Sequence, residues 1–156
     1  PLLERAKPRV LHIPSKRIPP IKGTQFVDPV LRKLDDAGKI EYVCPESVPH
    51  SEMRSLVHDV DIVVDQLLAG SYGVAAIESM SAGRVTVGRL APPVLDLMPE
   101  VPPIVQATPD ELEETIVTIV ENRDHYRRLG GEGISFAHVW HSGKASATAL
   151  RSYLAR

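Results

Sequence analysis

The feature that most constrains this chain is an alternation of short Val/Ile-rich runs with longer stretches at helical spacing. The short runs are RVLHI at 9–13, KIEYV at 39–43, DIVVD at 61–65, VTVG at 85–88 and PPIVQ at 102–106. Near-continuous apolar runs of this length fit strands buried on both faces, which is how parallel sheets read. The intervening stretches carry apolar residues three and four apart. In 24–37 these are Phe26, Val27, Val30, Leu31 and Leu34, with Gly38 in the place of a C-terminal cap. Helices are likewise predicted over 51–58, over 71–82 with Val74, Ile77 and Met80, and from Thr108. Thr108-Pro109-Asp110-Glu111 reads as an N-cap, a first-turn proline and a capping-box acid. Helices over 124–129, 134–140 and 142–154 complete the pattern. Strand alternating with helix predicts an α/β fold with a mainly parallel sheet.

The 156 residues are enough for one compact domain with its own core. With 18 Lys+Arg against 20 Asp+Glu, bulk charge gives no reason to expect nucleic acid as a partner. No apolar run reaches the roughly 20 residues of a membrane span, and the first residues do not read as a signal peptide. Cys44 has no second cysteine to pair with, which fits a reducing, cytoplasmic setting. Proline, at 14 residues, exceeds the usual share of about 5% and clusters in the connections at 14–20, 45–49, 92–93 and 99–103.

Ligands of open α/β sheets sit outside the carboxyl ends of the strands, so the chemistry is sought in the loops that follow them. After the first strand, Lys16, Arg17 and Lys22 precede Gly23 at the mouth of a helix, an arrangement suited to phosphate or to a solvated basic loop. After the third strand, Gly70, Ser71 and Gly73 surround another helix start. Ser71, Val74 and Glu78 stand at i, i+3 and i+7, which places Glu78 on the face that begins at the anion-accepting end. A carboxylate there accepts sugar hydroxyls, so the two features together describe a diphosphate plus a ribose. The competing reading is an exposed mid-helix Glu with small residues packed for closeness alone.

Other chemistries have less support. His138 and His141 lie three apart with no third ligand, so no metal site is expected. His12 reads as a satisfied core residue. Neither a G-x-S-x-G elbow, a G-x-G-x-x-G turn nor a P-loop is present.

Two motifs resemble those of the C-terminal, nucleotide-sugar-binding domain of GT-B glycosyltransferases of the group 1 (family 4) type. Arg17-x4-Lys22-Gly23 is similar to the family's R-x4-K-G, whose cations clamp the donor diphosphate. Ser71-Tyr72-Gly73-x4-Glu78-Ser79-Met80-x2-Gly83 is similar to its E-G-F-G-x4-E-A-M-A-x-G, whose second acid holds the ribose. The similarity runs over nearly the whole chain. It implies a Rossmann-like three-layer domain, the C-terminal half of a GT-B fold, spanning 1–156. It implies Arg17 and Lys22 as leaving-group stabilisers, and Gly23, Ser71, Tyr72, Gly73 and Glu78 around the nucleotide. Backbone groups near Val48, after the second strand, are implied to face the base. The implied reaction transfers a sugar from a nucleotide diphosphate sugar to a hydroxyl acceptor, with no cofactor and no metal.

The acceptor half of such an enzyme lies in an N-terminal domain that these residues do not contain, so the chain alone is expected to be inactive. The start at Pro1 fits an excised domain. The family's first acid falls at Gly70 here, and Asp65 and Gln66 just upstream are candidates for replacement polar contacts to the donor sugar. A related nucleotide-sugar epimerase and a noncatalytic α/β interaction module are the alternatives.

Overall fold

The computed structural model describes residues 1–14, 22–45 and 47–154. Strands β1 (Arg9–His12), β2 (Glu41–Val43), β3 (Ile62–Val64), β4 (Val85–Gly88) and β5 (Ile104–Gln106) form one sheet in the order β2-β1-β3-β4-β5. Every pairing is parallel, and β1 sits against β3 with Val10 opposite Ile62 and His12 opposite Val64. The fold class is as the sequence predicts: an α/β, Rossmann-like domain with helices on both faces of a parallel sheet.

Side-chain alternation along the strands sorts the core into two layers. Val10, Ile62, Val64, Val85 and Val87 meet Val27, Leu31 and Leu34 of α1 (Thr24–Asp36) and Leu112, Ile116 and Ile119 of α5 (Leu112–Glu121). On the opposite face, Leu11 and Val63 meet Val57 of α2 (His50–His58). Beside them Ala76 and Met80 of α3 (Val74–Ser81) pack with Phe136 and Ala137 of α6 (Arg123–His141). A short α4 (Pro92–Leu95) and a surface helix α7 (Lys144–Leu154) complete the chain.

Four boundaries differ from the sequence expectation. Helix α3 begins at Val74, not Ser71, because side chains of β3's carboxyl end hold 71–73 in a loop. Helix α5 begins at Leu112, not at Thr108. The Thr108 N–H donates to the Glu111 carboxylate at 3.0 Å, the return half of the predicted capping box, but the Thr108 hydroxyl donates to the same carboxylate at 2.8 Å and residues 109–111 form a turn ahead of the helix. The turn 92–95, expected as loop, is helical, with prolines at its first positions where no N–H is needed.

The largest difference is α6, which runs unbroken through Gly130, Gly131 and Gly133 where two helices were expected. Bare backbone is what lets it lie on α3. A β-carbon on Gly130 would meet the Gly83 carbonyl at 2.7 Å, and one on Gly133 would meet the Met80 backbone at 3.2 Å. Tertiary contact outweighs the roughly 1 kcal/mol helix penalty of each glycine.

The segment ahead of β1 is tied to the centre of the molecule. The fully buried Asp61 accepts the Leu3 N–H at 2.7 Å and the Arg9 N–H at 2.9 Å. Arg123 and Arg127 of α6 donate to the carbonyls of Leu2, Leu3, Arg5 and Ala6.

Candidate functional site

The chain leaves β1 for β2 at one side, then returns to lay β3 on the other side of β1. That reversal opens a crevice at the carboxyl ends of β1 and β3, the expected ligand position in such a sheet. Helices α1 and α3 both start there.

The α1 entrance is built on Gly23, at φ 75°, whose carbonyl accepts the N–H groups of Phe26 and Val27 at 2.8 and 3.0 Å. Behind it lies the fully buried His12. Its Nδ1 is 2.9 Å from the Val64 carbonyl, which can only accept, so Nδ1 carries the proton. Its Nε2, 2.8 Å from Thr24 Oγ1, therefore accepts from that hydroxyl. Burial lowers the His12 pKa, the Val64 bond opposes this, and the nearby Lys22 charge lowers it again. His12 is thus a neutral bracket between β1, β3 and α1, as the core reading predicts.

The α3 entrance is Gly73, in extended conformation, whose carbonyl accepts the N–H groups of Ala76 and Ile77 at 3.1 and 3.2 Å. The Gly73 N–H donates to Asp65 Oδ2 at 3.0 Å. The next N–H groups, on Val74 and Ala75, have no partner within the helix and carry its positive end. Gln66 Nε2 donates to the Ser71 carbonyl at 2.6 Å. Asp65 and Gln66, 1% and 7% exposed, thus shape this loop; in this structure their polar atoms are directed at it and at Lys22.

Lys22 lies beside Gly23 with its Nζ 3.6 Å from Asp65 Oδ1. Its carbonyl accepts the Leu67 N–H at 3.3 Å, stitching the two loops together. Arg17 lies outside the described residues.

Glu78 is half-buried on the second turn of α3 and opens into a groove of about 330 Å³ between α2 and α3. Arg54, Val57, His58, Ser81 and Ala82 line the same groove. Arg54 and His58 were not singled out in the sequence, yet their i, i+4 spacing on α2 is a readable signal. Neither makes an ion pair with Glu78 among the described residues.

The structure therefore brings Lys22, Gly23 and Gly73 together, with Glu78 one turn along α3. Ser71 is in the loop rather than the helix, its carbonyl occupied by Gln66. Tyr72 is turned toward the end of α6, with its hydroxyl 3.0 Å from His141 Nε2 and the two rings edge-on. Val48 is half-buried between β2 and α2, and its backbone makes no hydrogen bond among the described residues. No group of three His, Cys, Asp or Glu side chains able to hold a metal occurs among the described residues. No helix described is long and apolar enough to cross a membrane.

No known protein-family profile matches the sequence, and no curated protein matches it. Solved structures do match in fold. Three are of Alr3699/HepE from Anabaena, each 14% identical to this chain and aligned over 96% of it. The complex with UDP and glucose gives a TM-score of 0.68, the complex with UDP-glucose 0.65 and the complex with UDP 0.64. The alignment covers 48–49% of HepE. This chain thus has the fold of about half of a protein whose structures hold UDP, glucose and UDP-glucose.

Proposed function

We propose that the chain is the nucleotide-sugar-binding domain of a glycosyltransferase of the GT-B type. In this reading the donor is a nucleoside diphosphate sugar and the acceptor a hydroxyl. The observation that carries it is the convergence of the α1 and α3 entrances at the β1/β3 crevice, with Lys22 between them and Glu78 one turn along α3. Further support comes from the likeness in fold to HepE with UDP and UDP-glucose bound.

Departure of a sugar from a nucleotide leaves charge on the diphosphate. Lys22 and the free N–H groups of α3 are suited to stabilise it, because fixed donors need no reorganisation as charge develops, and Arg17 is the second cation that the motif supplies. Glu78 is suited to accept the ribose hydroxyls, and the backbone at Val48, which makes no hydrogen bond among the described residues, to meet the base. The reaction so read calls on no cofactor or metal and belongs in the cytoplasm. The acceptor would be supplied by a second, N-terminal domain, and the 156 residues alone would bind donor without turning it over.

Thermal unfolding against UDP, GDP, ADP and TDP tests the reading. A ligand of the folded state raises stability by RT ln(1 + [L]/Kd). The expected result is a concentration-dependent rise with at least one of the four. No rise with any of them at millimolar concentration removes the proposal.

A further inference from the structure

Asp65 stands at the carboxyl end of β3 with 1% of its surface exposed. One carboxylate oxygen, Oδ2, takes the Gly73 N–H at 3.0 Å. The other, Oδ1, has no hydrogen-bond partner among the described residues, and Lys22 Nζ lies 3.6 Å from it. A buried carboxylate oxygen without a donor is costly, so its position calls for a reason. The polar neighbours do not provide one: Gln66 Nε2 is committed to Ser71, and His12 to Val64 and Thr24. Asp65 therefore reaches the α3 entrance through one oxygen and faces the α1 entrance with the other.

A lysine ammonium is a point charge on a flexible four-carbon stem, and it needs a partner to be held in one place. With 18% of its side chain exposed, Lys22 has room to turn one proton to Asp65 and the others to the crevice. We infer that Asp65 is a positioning residue: its carboxylate sets the Lys22 ammonium relative to the first turn of α3, so that one diphosphate is held by both. This rests on the nucleotide reading of the site.

Asp65→Asn separates the two contacts. An amide oxygen that keeps the Gly73 N–H turns its NH2 toward Lys22, donor against donor. The loop survives and the hold on Lys22 is lost. Calorimetric titration of the whole chain with UDP, for Asp65→Asn, Lys22→Ala and the double variant, reads the coupling. Each single change should weaken UDP by about tenfold or more, the loss of a charge-assisted hydrogen bond. In the double variant Asp65→Asn should add nothing to Lys22→Ala. Uridine, which has no phosphate, should bind wild type and Asp65→Asn equally by saturation-transfer NMR.

An Asp65→Asn loss of the same size with or without Lys22, or an equal loss for uridine, overturns the inference and leaves the nucleotide reading intact. A wild-type chain that binds none of UDP, GDP, ADP, TDP and inorganic pyrophosphate removes that reading, and the role of Asp65 with it; where another of the four nucleotides binds in place of UDP, it and its nucleoside take the places of UDP and uridine in the same cycle. Asp65→Ser, which leaves the Gly73 N–H to water, replaces the Asn variant in the same cycle if the latter does not fold.

Discussion

A β-carbon placed on Gly70 would lie 3.0 Å from the β-carbon of Ala91, and the Gly70 backbone is left-handed at φ 69°. The Ala91 N–H donates to the Gly70 carbonyl at 2.8 Å, so the loops after β3 and β4 close on each other here. The acid expected by resemblance at this position cannot simply be restored. Left-handed backbone costs a side chain about 1–2 kcal/mol, and the contact with Ala91 adds to it. Gly70→Glu should therefore lower unfolding free energy by about 2 kcal/mol in urea titration. A Gly70→Glu chain as stable as wild type would show that the two loops are free to part.

The glycines of α6 make opposite predictions side by side. Gly130→Ala pushes a methyl against the Gly83 carbonyl and should destabilise by about 2 kcal/mol, in the range for overpacking. Gly131 has nothing within 4 Å of where a β-carbon would stand. Gly131→Ala should stabilise by about 0.5–1 kcal/mol, since alanine loses less entropy in a helix. Equilibrium unfolding of the two variants checks both signs at once.

Lys22 and Glu78 should separate binding from stability. Lys22→Ala leaves the buried Asp65 carboxylate without its neighbouring cation, so stability should fall by about 1–2 kcal/mol together with UDP affinity. The half-buried Glu78 faces an open groove, and Glu78→Ala should change stability by no more than about 0.5 kcal/mol. Its effect should appear in the ribose instead. Wild type should prefer UDP to 2′,3′-dideoxy-UDP by about tenfold, and Glu78→Ala should bind the two equally in competition titrations.

Stability should fall as pH drops below neutral, because of His12. Its folded pKa is lowered from 6.5 by burial, so below pH 6.5 the unfolded chain takes up a proton that the folded chain refuses. The unfolded state then binds more protons, and stability rises with pH by up to about 1.4 kcal/mol per unit for one such group. The contribution is fully present above 6.5 and is lost as pH falls from there through the depressed folded value. His141, also lowered by burial, adds in the same direction. Urea unfolding at pH 5, 6, 7 and 8 should show this slope, and His12→Gln should flatten it while being less stable at pH 7.

The strands were legible in the sequence because interior parallel strands are buried on both faces and leave unbroken apolar runs. Lys22, Gly23 and Gly73 stood out in the sequence as a cation and two glycines at helix entrances, and the structure sets all three at the carboxyl ends of β1 and β3, with Glu78 one turn along α3. The start of α3 was not, since Asp65 and Gln66 act on residues 71–73 through tertiary side-chain contacts that no local propensity encodes. Continuity of α6 was hidden for a similar reason: a glycine reads locally as a break, and only the closeness of α3 turns it into a packing surface. The pairing of Asp65 with Lys22 joins residues that are far apart in the chain and close only once β3 lies against β1.

The fastening of residues 2–9 has a mechanical consequence. Asp61 grips this segment from the edge of β3, while Arg123 and Arg127 grip it from α6. A load drawn along it is shared between the middle of the sheet and the longest helix, instead of peeling β1 away one hydrogen bond at a time. Little slack separates the segment from the crevice, so a displacement applied there would carry the sheet, and whatever the crevice holds, as one body.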